Sequence, residues 1–365
     1  MSQTTTSTNH SIVIMAGGTG GHVFPALAIA EALQEQGFNV CWLGTQKGLE
    51  ARVVPAANIE IKYISIAGLR GKGVLSLLTA PFKITLAIWQ SVRILRALRP
   101  AAVVGMGGFV TGPGGVAAWL LRIPLLIHEQ NAIAGLTNRW LARLATTVME
   151  AFPNTFEKKY QALHTGNPLR GHIMALSPPN PRPIHDPLRV LIVGGSLGAK
   201  ALNETVPVAL RQVSAHLEVW HQTGNTHIEA MQKAYDGAPF QAQVMAFIED
   251  MAAAYAWADL VICRAGAITV TELAQAGVAS LLVPFPYAVD DHQTSNARFL
   301  SDNGAAILLP QTELTVDRLV TLITELHNHP TRLQSMSAAA RDCATPDAGQ
   351  QVVDLIIQIT TKKRR

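Results

Sequence analysis

A short apolar run, a glycine-rich turn and a helical pattern follow one another in the same order twice in this chain. IVIMAGGTGG leads into PALAIAEAL across residues 12–33, and LIVGGSLGA leads into LNETVPVAL across residues 191–210. Strand, glycine turn and helix form the opening unit of a nucleotide-binding α/β domain, so the recurrence predicts two Rossmann-like domains in tandem with a cleft between them. Further runs support this: NVCWLG, AAVVGMG and PLLIHEQ in the first half, LEVWHQTG, QVMAFI, ADLVICRAG and ASLLVPF in the second. Their apolar character is continuous rather than alternating, which suits strands covered on both faces and hence parallel, doubly wound sheets. The fold class is α/β.

The series breaks at GNPLRGHIMALSPPNPRPIHDP, residues 166–187, whose prolines read as an interdomain linker. The expected organisation is a disordered N-terminus over 1–10, a first domain over 11–167, a linker over 168–187 and a second domain over 188–345. Residues 346–365 are expected to form a helix that returns to the first domain. A length of 365 residues with 48% apolar content supports two well-packed cores. The net charge of +4 calls for no nucleic-acid partner. Its distribution is uneven: between Lys62 and His128 there is no Asp or Glu, while Arg70, Lys72, Lys83, Arg93, Arg96, Arg99 and Arg122 lie there. Cys41, Cys263 and Cys343 lack the paired spacing of a zinc or redox site and read as reduced thiols of a cytosolic protein. MSQTTTSTNHS has neither a basic nor an apolar export region. Val74–Leu98 and Ala101–Ile127 are apolar but interrupted by prolines, with charges in the first and a dense run of glycines in the second, so neither is expected to span a bilayer.

Glycines between a strand and a helix let the backbone approach an anion, and the helix N-terminus adds unpaired N–H groups and a positive dipole end. Three clusters have this form: Gly17, Gly18, Gly20 and Gly21; Gly105, Gly107, Gly108, Gly112, Gly114 and Gly115; and Gly194, Gly195 and Gly198. A nicotinamide or flavin enzyme is disfavoured. The only G-x-G-x-x-G/A match, Gly112 to Ala117, contains Pro113 and precedes a stretch without the required acid. RAGAITVTELAQAG offers a better nucleotide site, with Gly266 opening a turn, Thr269 and Thr271 near the start of a helix, and Glu272 placed to accept from both ribose hydroxyls.

GGTGGHVFP, GMGGFVTGPGG, HEQNAIAG, GNPLR, GGSLGA and the region from RAGAITVTELA to DDHQTSNA, in this order over nearly the whole chain, resemble the MurG family. These are the N-acetylglucosaminyltransferases that convert lipid I to lipid II in peptidoglycan synthesis. The resemblance implies a GT-B fold, with the acceptor held mainly by the first domain and UDP-GlcNAc mainly by the second. Carried onto matching positions, it implies donor contacts from Thr19, Gly20, Gly21, Asn131, Arg170, Ser196, Ile248, Ala267, Ile268, Thr269, Val270, Thr271, Glu272 and Gln293. Ile248 would present backbone to uracil, Glu272 would hold the ribose, Ser196 and the Ala267 helix the diphosphate, and Gln293 and Asn131 the sugar. The glycines of the first two clusters are assigned to the acceptor diphosphate. Leu197 and His292 depart from the family pattern, which has a polar residue, often Gln, at the first place and Gln at the second.

The resemblance further implies inverting transfer to the muramyl C4 hydroxyl, which needs a base near that oxygen and stabilisation of departing UDP. His22 is one candidate, since the positive end of a helix keeps an imidazole neutral; Glu129 is the alternative, as base or as the residue that orients it. Arg170 and the helix N-termini supply positive charge, so no cofactor is required; a divalent cation can assist, but neither a metal site nor an Asp-x-Asp motif is evident. A bilayer-anchored acceptor implies a peripheral enzyme on the cytoplasmic face of the bacterial inner membrane, with partners among the cell wall synthesis and division proteins. Gly68–Arg99, with Leu75, Leu77, Leu78, Phe82, Ile84, Leu86 and Trp89 among basic residues, and the tail Lys362–Arg365 suit an anionic lipid surface.

Overall fold

The computed structural model describes residues 11–66, 74–177, 179–195 and 198–362, without the side chains of 74–78, 289 and 362. The expectations for residues 1–10, for Ser196 and Leu197, for the start of the Gly68–Arg99 segment with Leu75, Leu77 and Leu78, and for the basic tail lie outside the described residues.

Tertiary contacts divide the chain into two compact units, one running to Arg170 and resuming at Asp347, the other Gly171–Pro346. The first is built on β1 (Ser11–Met15), β2 (Asn39–Gly44), β3 (Glu60–Tyr63), β4 (Ala102–Gly105), β5 (Leu125–Glu129), β6 (Thr147–Glu150) and β7 (Leu163–His164). They form one parallel sheet in the order β3-β2-β1-β4-β5-β6-β7. Ile12, Ile14, Val40 and Trp42 pack on one face against Val23, Ala26, Ile29 and Leu33 of the helix Gly20–Glu35. Val13, Met15, Cys41 and Leu43 pack on the other against Ala87 and Leu95 of Val74–Leu98 and Ala117 of Thr111–Leu120. Successive residues of a strand thus meet different cores, which is why the sequence runs apolar without alternation. The C-terminal helix Ala348–Lys362 buries Ala348, Val352, Val353 and Ile356, a stripe at helical spacing, and packs on Gly20–Glu35.

The second unit holds β8 (Leu188–Val193), β9 (Leu217–Gln222), β10 (Gln241–Met245), β11 (Leu260–Cys263), β12 (Ala279–Leu282) and β13 (Ala306–Leu308). These are parallel in the order β10-β9-β8-β11-β12-β13. Leu188, Val190 and Ile192 pack with Leu202, Val206 and Leu210 of the helix Lys200–Leu210 and Leu319, Ile323 and Leu326 of Val316–Asn328. The α/β class with two parallel sheets is as expected from the sequence. Four strands gave no apolar run: β3 carries the exposed ion pair of Glu60 and Lys62 at 2.6 Å, β7 is two exposed residues, β13 is three residues long, and β6 is TVME.

Candidate active site

In both sheets the strand order reverses once, between β1 and β4 in the first unit and between β8 and β11 in the second. Ligands of open parallel sheets bind at the carboxyl ends of the strands beside such a reversal, where neighbouring loops diverge. The predicted glycine clusters emerge there: 17–21 after β1, 105–115 from β4, 194–198 after β8 and Gly266 after β11.

In the first unit the two loops fit closely. Gly107 and Gly108 have φ of +97° and +84°, the left-handed region that glycine tolerates. A Cβ on Gly108 would stand 2.2 Å from the Gly17 carbonyl oxygen, and one on Gly107 would stand 2.5 Å from Cδ2 of His22. Thr111 fastens the pair, its hydroxyl donating to Gly107 O at 2.7 Å and Met15 O at 3.3 Å. The other glycines of the second cluster divide. A Cβ would lie 2.5 Å from Thr111 Cγ2 at Gly105, 2.2 Å from Met15 Sδ at Gly114 and 2.7 Å from Leu141 Cδ2 at Gly115. These three are buried packing positions that let the helix Thr111–Leu120 seat on the sheet, which corrects their assignment to a phosphate cradle. Gly112 meets only ordinary contact, 3.5 Å from Thr137.

Beneath Gly17 and Gly18 lies a carboxylate that sequence reasoning missed. Glu50 is fully buried and accepts from Gly18 N at 3.1 Å, Thr45 N at 3.0 Å and Thr45 Oγ1 at 2.7 Å. The Gly18 amide is therefore committed to Glu50, whereas the amides of Gly20 and Gly21 head the helix Gly20–Glu35 and have no carbonyl four residues back within it. A cavity of about 650 Å³ opens beside this loop, lined by Lys47, Tyr63, Lys83, Leu86 and Phe109 among others.

His22 is half-buried, its Nδ1 3.3 Å from Thr19 Oγ1. Glu129, the other candidate base, is 2% exposed and filled by four donors: Asn131 N at 3.0 Å and Nδ2 at 3.2 Å on one oxygen, Gly135 N at 3.0 Å and Asn138 Nδ2 at 2.9 Å on the other. A carboxylate so occupied organises the turn after β5 and positions Asn131. The Arg170 guanidinium sits 5.6 Å from the Phe24 ring centroid.

In the second unit a cavity of about 700 Å³ is lined by Gly194, Gly195, Gly198, Lys200, Arg264, Gly266, Thr269, Phe285, Gln293 and Gln311, among others. Gly198 has φ of +75°, and a Cβ there would lie 2.1 Å from Thr223 O. Arg264 was not foreseen: its guanidinium donates to Val283 O at 3.1 Å, Pro284 O at 3.2 Å and Gln311 Oε1 at 2.7 Å, all neutral acceptors. Burial holds its pKa below the usual value. A half-buried cation with neutral partners in a cavity headed by the helices Lys200–Leu210 and Ala267–Ala276 suits a multiply charged anion. Gln293 accepts from Phe285 N at 2.9 Å.

Along Ala267–Ala276 the expected contacts separate. Ala267 is buried at the first turn, and Ile268 and Thr269 are half-buried. Val270 is fully buried and Thr271 turns its hydroxyl to Ala267 O at 2.9 Å, so Val270 is a core side chain and Thr271 is tied to its own helix. Glu272, 7% exposed, accepts from Tyr255 OH at 3.0 Å. The Ile248 side chain is buried.

The model of the glycosyltransferase family 28 N-terminal domain matches residues 12–150, and that of the C-terminal domain matches residues 189–355. The chain belongs to glycosyltransferase family 28. It is 51% identical, over 96% of its length and 98% of the relative's, to the UDP-N-acetylglucosamine--N-acetylmuramyl-(pentapeptide) pyrophosphoryl-undecaprenol N-acetylglucosamine transferase of Stutzerimonas stutzeri (strain A1501). The protein of the same name from Alkalilimnicola ehrlichii (strain ATCC BAA-1101 / DSM 17681 / MLHE-1) is 53% identical over 95% of this chain and 98% of that one. The crystal structure of Acinetobacter baumannii MurG superposes with a TM-score of 0.85 at 50% identity, covering 96% of this chain and 99% of that one. This family 28 chain is thus a glycosyltransferase of the MurG type with the GT-B fold. Neither Glu50 nor Arg264 was given a role from sequence: Glu50 lies in no motif, and Arg264, although it opens RAGAITVTELA, shows its partners only once the chain is folded.

Proposed function

We propose that this enzyme transfers N-acetylglucosamine from UDP-GlcNAc to the C4 hydroxyl of the muramyl sugar of lipid I, giving lipid II and UDP with inversion at the anomeric carbon. The observation that carries the reading is the identity of about half of all positions, along nearly the full length, with transferases whose names state this donor and acceptor. The bond from the anomeric carbon to the diphosphate oxygen breaks as the bond to the acceptor oxygen forms. The acceptor proton goes to a base and the negative charge to UDP.

In the second unit, Arg264 and the helices opening at Lys200 and Ala267 hold the diphosphate, Glu272 the ribose, the Ile248 backbone the uracil and Gln293 the sugar. In the first unit, Gly20 and Gly21 meet the acceptor diphosphate and His22 takes the proton. The choice of His22 over Glu129 rests on the four donors that already fill Glu129. Because Arg264 and the helix termini meet the diphosphate charge, transfer needs no added cofactor.

The enzyme is peripheral on an anionic membrane surface in this reading. Phe82 (80% exposed), Leu86 (46%) and Trp89 (53%) lie at i, i+4 and i+7 on one face of Val74–Leu98, opposite the buried Ala87, Ser91 and Leu95. Arg93 stacks over Trp89 at 5.0 Å, an apolar face flanked by cations. Among the described residues no helix is long and apolar enough to cross a membrane. Transfer of labelled sugar from UDP-GlcNAc to a lipid I analogue, with UDP-GalNAc and UDP-glucose as controls, tests the reading. Label in lipid II from UDP-GlcNAc alone is expected; equal use of all three donors, or release of free sugar without acceptor, would overturn it.

A further inference from the structure

The third glycine loop and the segment carrying Ile248 lie on different strands' ends, yet one side chain is bonded to both. Gln222, the last residue of β9, is 3% exposed. Its Oε1 accepts from Gly195 N at 3.0 Å, and its Nε2 donates to Gly195 O at 2.9 Å and to Ala246 O at 3.0 Å. Gly195 O also accepts from Gly198 N at 2.8 Å. Gly195 stands at φ of +83°, a conformation that depends on its surroundings to hold it. Ala246 lies two residues before Ile248.

We propose that Gln222 is a positioning residue that fixes the spacing between the diphosphate loop and the base-reading segment, and so makes the enzyme measure a uridine diphosphate as one object. The inference rests on the donor site proposed above. Only a carboxamide supplies one acceptor and two donors at this place. A carboxylate would keep the contact with Gly195 N but set one oxygen against the carbonyls of Gly195 and Ala246, and a thioether would leave one amide and two carbonyls without this partner. The clamp touches neither the reacting carbon nor the acceptor, so its loss acts on donor binding rather than on the chemical step.

Gln222→Met and Gln222→Glu in the full-length enzyme test this, with thermal unfolding measured alongside. Loss of all three contacts in Gln222→Met, or of the two donated bonds in Gln222→Glu, is expected to raise KM for UDP-GlcNAc about tenfold or more while kcat changes by no more than about threefold. The calorimetric preference for UDP over ADP should fall by a similar factor. A folded variant with unchanged KM and an unchanged UDP preference overturns the proposal. A wild-type enzyme with no preference for UDP over ADP overturns the donor assignment instead. Hydrogen exchange on the wild-type protein gives a reading independent of variant folding. Inorganic pyrophosphate, which cannot reach uracil contacts, is expected to slow exchange around both Gly195 and residues 246–250, whereas protection confined to the glycine loop counts against coupling through Gln222.

Discussion

Gly108 lies so close to the Gly17 carbonyl that a Cβ built on it would stand 2.2 Å from that oxygen. The contact is backbone to backbone, at φ of +84°, so no rotamer change can relieve it. Gly108→Ala is expected to destabilise the first unit by about 2 kcal/mol or more, through left-handed strain and overpacking together. It should also abolish most transfer activity, because the displaced loop carries the head of the Gly20–Glu35 helix. Chemical denaturation and the transfer assay check both, and a variant of wild-type stability would show that the loops separate easily.

His22→Ala is expected to reduce kcat by about 10²- to 10⁴-fold, the range for a lost general base. UDP affinity, measured by calorimetry, should change little, since the proposed nucleotide contacts lie in the second unit. Near-normal turnover would remove His22 from the role of base.

Stability should fall in acid through two buried imidazoles. His128 is fully buried, its Nε2 2.9 Å from Gly166 O and its Nδ1 3.1 Å from Gln130 Nε2; burial holds its pKa down at about 4. His221, between Tyr235 OH at 3.0 Å and Asn203 Oδ1 at 3.1 Å, is pushed down by burial to about 3. Both are depressed below the ordinary value of 6.5, so between these values the unfolded chain binds more protons than the folded one. The penalty is absent above the unfolded pKa and grows as pH falls from 6.5 toward 4 for His128 and toward 3 for His221. Urea denaturation from pH 8 to 4 should show this slope, and His128→Gln should flatten its share.

Arg264→Gln is expected to weaken UDP binding by about tenfold or more, through loss of a charge-assisted contact in a partly desolvated cavity. Transfer should persist in excess EDTA if the arginine and the helix termini neutralise the diphosphate. Activity that disappears in EDTA and returns with magnesium would reassign that charge to a cation.

Phe82→Ser with Trp89→Ser removes two exposed aromatic side chains from one helix face. Vesicles containing anionic lipid should then sediment at least about tenfold less enzyme, with transfer to a short, water-soluble acceptor unchanged. Binding to neutral vesicles should be weaker in the wild type and insensitive to salt.

The two glycine turns and the apolar runs around them were legible because their physics is local: a strand buried on both faces must be continuously apolar, and a chain that turns from strand to helix beside an anion needs glycine. The edge strands β3, β7 and β13 were not, since a short half-exposed strand is specified by its neighbour's hydrogen bonds rather than by its own side chains. Within the site, the sequence marked His22, Glu129 and Glu272 as chemistry-bearing residues without fixing what each faces. Folding filled Glu129 with four donors and turned Val270 into the core. It also gave Gly105, Gly114 and Gly115 to helix packing, although in one dimension they look the same as Gly107 and Gly108. Glu50 under the Gly18 amide, Arg264 in the second cavity and Gln222 between two loops are side chains with partners 32, 19 to 47, and 24 to 27 residues away, Thr45 being a nearer partner of Glu50. Which carboxylate is filled, which glycine faces an open cavity and which cation meets neutral acceptors are relations between distant segments, and those exist only once the sheets have brought the segments together.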